Sequence, residues 1–178
     1  MSGQNGAVEF RALVSDGYAK ATELLRTLKR FRIADYLRTP PGGKPVVCVY
    51  LIWSPDGTLV YVGKTSNLRL RLQNHVSRSG HLVRCVSTER GLNPDARFGH
   101  KCVCGELIDC RNGPLTLPRD GRVGALIKEI RDTYLLSFIT VDSRDMWFNG
   151  TEFEKYVQYA LNPVHGWGPQ GRNESAKG

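Results

Sequence analysis

The segment from Tyr61 to His75, YVGKTSNLRLRLQNH, gathers a phenol, a lysine, two arginines and an imidazole, and the apolar run VVCVYLIW at residues 46–53 adds a second phenol, Tyr50. A tyrosine with its ordinary pKa near 10 is a poor base at neutral pH unless neighbouring cations or an acceptor favour its anion. Lys64, Arg71 and His75 are side chains of the types that do so. The planar fork of an arginine also matches an oxyanion better than an ammonium does. Far downstream, Glu154 offers a carboxylate. Each residue also has a plain reading. Tyr50 and Tyr61 are good strand residues, the basic side chains suit a solvated helix start, and Glu154 fits the third helical position of a capping box opened by Thr151. Glu152 is the alternative carboxylate, on a different helix face.

These side chains need elements to carry them. VVCVYLIW is β-branched, aromatic and almost continuously apolar, the pattern of a strand covered on both faces. Ser54-Pro55-Asp56-Gly57 suits a type I turn, and TLVYVG resumes as the second strand of an antiparallel hairpin. Leu68 to Leu72 alternates strictly and fits a strand. A helix capped by Asn67 also extends the apolar stripe Leu68–Leu72–Val76 and stacks Arg71 and His75 one turn apart, and leucine and arginine favour helices. The spacing therefore predicts a helix here. Further on, Asp120 opens a helix carrying Val123, Leu126, Ile127 and Ile130, YLLSFITV (134–141) reads as a third strand, and a last helix starts near Thr151 and stops before Pro163.

Residues 7–38 read as an N-terminal helical extension, with Tyr18, Ala21, Leu24, Leu25 and Leu28 at helical spacing, and TPPGGKP closes it as a linker. Residues 80–119 read as a long irregular insertion rich in Gly, Pro and Cys. The expected fold is α+β, a small three-stranded antiparallel sheet flanked by helices. The expected organisation is an extension over 1–45, a catalytic domain over 46–165 and a tail over 166–178.

The chain has 178 residues and a formal net charge of +8, which suits one domain and a polyanionic partner. Its N-terminus lacks the pattern of a signal peptide and no stretch reaches membrane-spanning length, so a cytoplasmic protein is expected. The odd number of cysteines, five, disfavours a disulfide framework. Cys85, His100, Cys102, Cys104 and Cys110 invite a zinc site, but Cys-x-Cys is not the paired knuckle that suits tetrahedral zinc, and buried free thiols are favoured.

The order of elements and residues resembles the GIY-YIG nuclease superfamily, nearest to its small restriction endonucleases. Its first motif stands here as Cys48-Val49-Tyr50 and its second as Tyr61-Val62-Gly63; Lys64, Asn67, Leu68, Arg71 and His75 follow at family positions, and Glu154 precedes Asn162-Pro163. The resemblance covers residues 46–78 and 120–165. Gly166 stands where the family commonly has an asparagine, with Asn162 and His165 nearby.

The resemblance implies hydrolysis of a phosphodiester bond in double-stranded DNA by activated water. Tyr50 would be the general base, His75 would accept or relay its proton, Arg71 would clamp the phosphate, and Lys64 and Tyr61 would be supporting donors. Glu154 would hold Mg²⁺ or Mn²⁺. Arg84, Arg90, Arg97, Lys101, Arg111 and Arg119 of the insertion, with Arg69 and Arg78, are the candidate DNA contacts. A restriction-type enzyme is expected, and cutting both strands would take a homodimer or sequential attack. A repair or mobile-element nuclease, or an inactive basic nucleic-acid-binding module, are the alternatives.

Overall fold

A strand can be apolar at every position only if both faces of its sheet are covered, and Cys48–Trp53 is buried throughout its length. The computed structural model describes residues 23, 26–40, 45–92, 119–140, 154, 155, 157, 158 and 161. Within it, β1 (Phe31–Arg32) leads into α1 (Ile33–Arg38), and the hairpin β2 (Cys48–Trp53) and β3 (Leu59–Thr65) follows. Next come α2 (Leu68–His75), α3 (His81–Glu89), α4 (Gly121–Thr133) and β4 (Leu135–Thr140). Residues 154, 155, 157, 158 and 161 are helical. The sheet is antiparallel in the order β1-β4-β2-β3.

Alternate residues of β2 serve two cores. Cys48, Tyr50 and Ile52 pack with Leu68 and Leu72 of α2, Leu82, Val83 and Val86 of α3, and Val123, Leu126 and Ile130 of α4. Val49, Leu51 and Trp53 pack on the other side with Leu28, Ile139 and Val157. The three helices after the hairpin therefore share the face that carries Tyr50.

Local chemistry sets the connections as expected. The Gly57 amide donates to the Ser54 carbonyl (3.0 Å), closing the hairpin turn. The side chain of Asn67 caps α2 by accepting from the Leu70 amide, and Asp120 caps α4 by accepting from the Val123 amide. A bulge between Ile52 and Trp53 makes Val60 the extra residue of β3, so that Tyr61 opposite Ile52 and Gly63 opposite Tyr50 lie on one face.

Two expectations are corrected. Among the described residues the sheet has four strands, because Phe31 and Arg32 pair with Leu136 and Leu135 at the edge of β4, and Ile33 behind them is fully buried. Residues 31–33 of the extension are thus part of the sheet and of its core. The insertion is also not irregular from its start: α3 occupies His81–Glu89 and buries Leu82, Val83, Cys85 and Val86. The earlier part of the N-terminal helix (7–22), the linker residues 41–44, the insertion from 93 to 118, the capping-box residues 151–153 and the tail lie outside the described residues.

Candidate active site

Tyr50 projects from the central strand beneath α2, and its position is set from both sides. A Cβ on Gly63 would come within 2.7 Å of the Tyr50 hydroxyl and of Cε1 of Tyr61, so only glycine lets the two rings lie side by side across the hairpin. Those rings stack at 5.9 Å. From above, the Arg71–His75 spacing places both side chains over this pair. His75 Nε2 lies 2.7 Å from the Tyr50 oxygen, Arg71 Nε donates to the same oxygen at 3.1 Å, and Arg71 Nη2 donates to the Tyr61 oxygen at 3.4 Å.

A guanidinium has only donors, so the Tyr50 oxygen accepts from Arg71. The Tyr50–His75 bond runs in either direction according to the imidazole tautomer. His75 Nδ1 is buried and has no hydrogen-bond partner among the described residues. Burial, with Tyr61 adding and Arg71 opposing, raises the Tyr50 pKa well above 10. Burial also raises that of Tyr61, against Arg71. His75 is pushed well below 6.5 by burial, then by the charges of Arg71 and His81. Partial burial acts to lower the Arg71 pKa, but the two tyrosines raise it on balance. At rest these four side chains are therefore two neutral phenols, a neutral imidazole and the Arg71 cation.

Glu154 joins this group around the edge of the sheet. Among the described residues β3 is the terminal strand, and its Lys64 amide and Val62 carbonyl are met by side chains. The Lys64 amide donates to Glu154 Oε1 at 3.0 Å. Gln158, one helical turn on, donates through Nε2 to the Val62 carbonyl at 3.3 Å and to Glu154 Oε1 at 3.5 Å. Burial raises the Glu154 pKa, with Lys64 and then Arg71 opposing.

Sequence reasoning missed two participants. Gln158 is buried beside Glu154, and its signal was the four-residue spacing that puts both on one helix face. His81 sits edge-on to Tyr61 at 5.8 Å; the contact depends on the turn at Gly80, where a Cβ would collide with the Asn74 and His75 carbonyls.

Of the candidate DNA contacts, Arg69 is committed elsewhere, donating to the carbonyls of Tyr36 (3.1 Å), Leu37 (2.6 Å) and Thr39. Arg90 forks onto Glu129, with both bonds at 2.7 Å. Both therefore take part in pairings within the chain. Arg78 and Arg84 are half-buried and Arg119 is exposed, while Arg97, Lys101, Arg111 and the alternative carboxylate Glu152 lie outside the described residues. A cleft of about 240 Å³ lined by Lys29, Phe31, Asp35, Tyr36, Thr39 and Phe138 includes none of the candidate catalytic residues.

Among the described residues no group of three or more His, Cys, Asp or Glu gathers as a metal cage. Cys48 and Cys85 are buried free thiols; His100, Cys102, Cys104 and Cys110 lie outside the described residues. The donor set at Glu154, one carboxylate with Oε1 already taken by N–H donors, fits a hard cation that keeps most of its waters, as Mg²⁺ does.

Residues 46–102 match the GIY-YIG catalytic domain. The matched segment contains Tyr50, Tyr61, Lys64, Arg71 and His75 and ends before Glu154. Over 66 residues the chain is also 38% identical to UvrABC system protein C of Maricaulis maris (strain MCS10), a stretch that is 37% of this chain and 10% of that protein. The chain thus spans a tenth of the length of this curated relative. No solved structure matches. The four-stranded α+β core agrees with the GIY-YIG fold, and the GIY-YIG catalytic domain is a nuclease domain, a phosphodiester hydrolase. Among the described residues no helix is long and apolar enough to cross a membrane.

Proposed function

We propose that the chain is a metal-dependent endonuclease that hydrolyses phosphodiester bonds of double-stranded DNA. The observation that carries this reading is the hydrogen-bonded group Arg71–Tyr50–His75, with Tyr61 on the same guanidinium. Tyr50 is wholly buried, and a phenol wholly buried against an arginine and an imidazole is a polar arrangement that packing alone does not require.

An attacking water gives its proton to the Tyr50 oxygen while the phenolic proton passes to His75 Nε2, so the water is activated without a free phenolate forming first. Arg71 and His81 disfavour the resulting imidazolium. A phosphate beside Arg71 offsets that charge, which couples proton transfer to the presence of substrate. Arg71 then presents its fork to the phosphate oxygens. Glu154, anchored on the Lys64 amide, is the residue that would hold Mg²⁺ or Mn²⁺; when bound, the cation stabilises charge on the phosphate and the leaving oxygen.

The test is incubation of supercoiled plasmid with Mg²⁺. Wild type is expected to nick or linearise it, and Glu154→Ala to be slower by about two orders of magnitude or more. Equal behaviour of the two proteins supports an inactive DNA-binding module instead. The finer proposal is a restriction-type enzyme cutting at one short sequence, as a dimer or by two sequential attacks. The similarity to UvrABC system protein C favours a second reading, a repair nuclease. Sequencing the cut ends on unmodified duplex separates them: one recurring sequence supports restriction, and dependence on a damaged substrate supports repair.

A further inference from the structure

We propose that Gln158 is a positioning residue for the metal-binding carboxylate, and that with the Lys64 amide it reserves one oxygen of Glu154 for the cation. This rests on the reading of Glu154 as the metal ligand. The geometry that carries it is a match between a helix and a strand edge. Glu154 and Gln158 stand one turn apart, and Lys64 and Val62 stand two residues apart on the same side of terminal strand β3. Each side chain meets one outward backbone group: Glu154 Oε1 accepts from the Lys64 amide (3.0 Å), and Gln158 Nε2 donates to the Val62 carbonyl (3.3 Å).

The same amide nitrogen also reaches Glu154 Oε1 at 3.5 Å. One carboxylate oxygen therefore faces a backbone donor and a side-chain donor together, which orients the carboxylate and leaves Oε2 outside both bonds. Gln158 is only 6% exposed. A buried primary amide on an apolar helix face, beside the fully buried Val157, is unfavourable unless its donors are used, and here they go to the strand and to the carboxylate. Carboxylates that bind metals are commonly held by such hydrogen bonds, and loss of the partner lowers metal affinity by about 10–100-fold.

The edge-capping bond to Val62 alone would make Gln158 a structural residue, so the test must separate that role from orientation of Glu154. Mn²⁺ binding is measured by calorimetry, without DNA, on the full chain and on Gln158→Leu, Glu154→Gln and the double variant. Gln158→Leu is expected to weaken Mn²⁺ binding by about tenfold, and to add nothing further in the Glu154→Gln background. In cleavage assays it is expected to raise the Mn²⁺ concentration for half-maximal rate while leaving kcat at saturating Mn²⁺ near wild type. Gln158→Met supplies a control of similar length that removes the donor without adding a charge or a carboxylate ligand. If Gln158→Leu is folded by circular dichroism and binds Mn²⁺ as wild type does, the inference is overturned while the Glu154 reading stands. If Gln158→Leu unfolds, Gln158→Met carries the same comparison, and Mn²⁺ affinity equal to wild type overturns the inference. If Glu154→Gln binds Mn²⁺ as wild type does, the metal-ligand reading and this inference both fall.

Discussion

His75 is held neutral by its surroundings, and that has a consequence for the folded chain before any substrate arrives. Its imidazole faces the Tyr50 phenol, the Arg71 guanidinium on its own helix and His81 from α3, and burial with the two nearby charges lowers its pKa well below 6.5. In the unfolded chain it regains the ordinary value. Between the two values the unfolded state binds the extra proton, so His75 contributes stability that is present above pH 6.5 and is lost as pH falls below it. Urea unfolding from pH 7.5 to pH 5 should therefore show stability falling on the acid side. His75→Gln should flatten that fall, and an unchanged slope would mean that the ring is solvated. That Tyr50 and Tyr61 lie on paired strands and Arg71 and His75 on one helix face was legible in the sequence, because spacing encodes which residues share an element's face. The hydrogen-bond order among them was not, since it depends on how α2 crosses β2.

Elements place those residues through contacts as tight as the hydrogen bonds themselves. Gly63 is the clearest case: the Tyr50 hydroxyl and the Tyr61 ring both occupy the space where its side chain would be. Gly63→Ala must push one ring aside in a fully packed sheet face, and overpacking of this kind costs about 1–3 kcal/mol. The displaced ring is one that the proposed mechanism uses, so cleavage should fall by more than the loss of stability explains. Chemical denaturation and single-turnover cleavage measured on one preparation check this; native activity with native stability would show that the hairpin absorbs the methyl group. The hairpin and the caps at Asn67 and Asp120 were readable because their chemistry is local. α3 was hidden because it opens after a glycine, without a capping side chain in the sequence, and runs into a segment whose Gly, Pro and Cys content suggests loop. β1 was hidden because a two-residue strand carries no periodicity, and only its pairing with Leu135 and Leu136 defines it.

The same hidden strand alters what counts as the domain. A boundary at the TPPGGKP segment would leave residues 46–165 as a self-sufficient nuclease core, yet the sheet takes its outer strand from before that boundary. Ile33 is fully buried against the helix face of the sheet, Leu28 closes the opposite core, and the Ile33 amide donates to the Tyr134 carbonyl at 3.1 Å. α2 is tied to the same segment, since Arg69 holds three carbonyls at the end of α1, two residues before the Arg71 that bridges the two tyrosines. Removing residues 1–45 should therefore lower the melting temperature sharply or abolish cooperative unfolding, and Ile33→Ala alone should cost about 2–5 kcal/mol. Because Arg69 and Arg71 share a helix, the truncated chain should also lose cleavage activity at temperatures where it remains folded. A fragment of residues 46–178 that melts and cuts like the full chain would restore the boundary at the linker. It would also reduce β1 and α1 to an appendage.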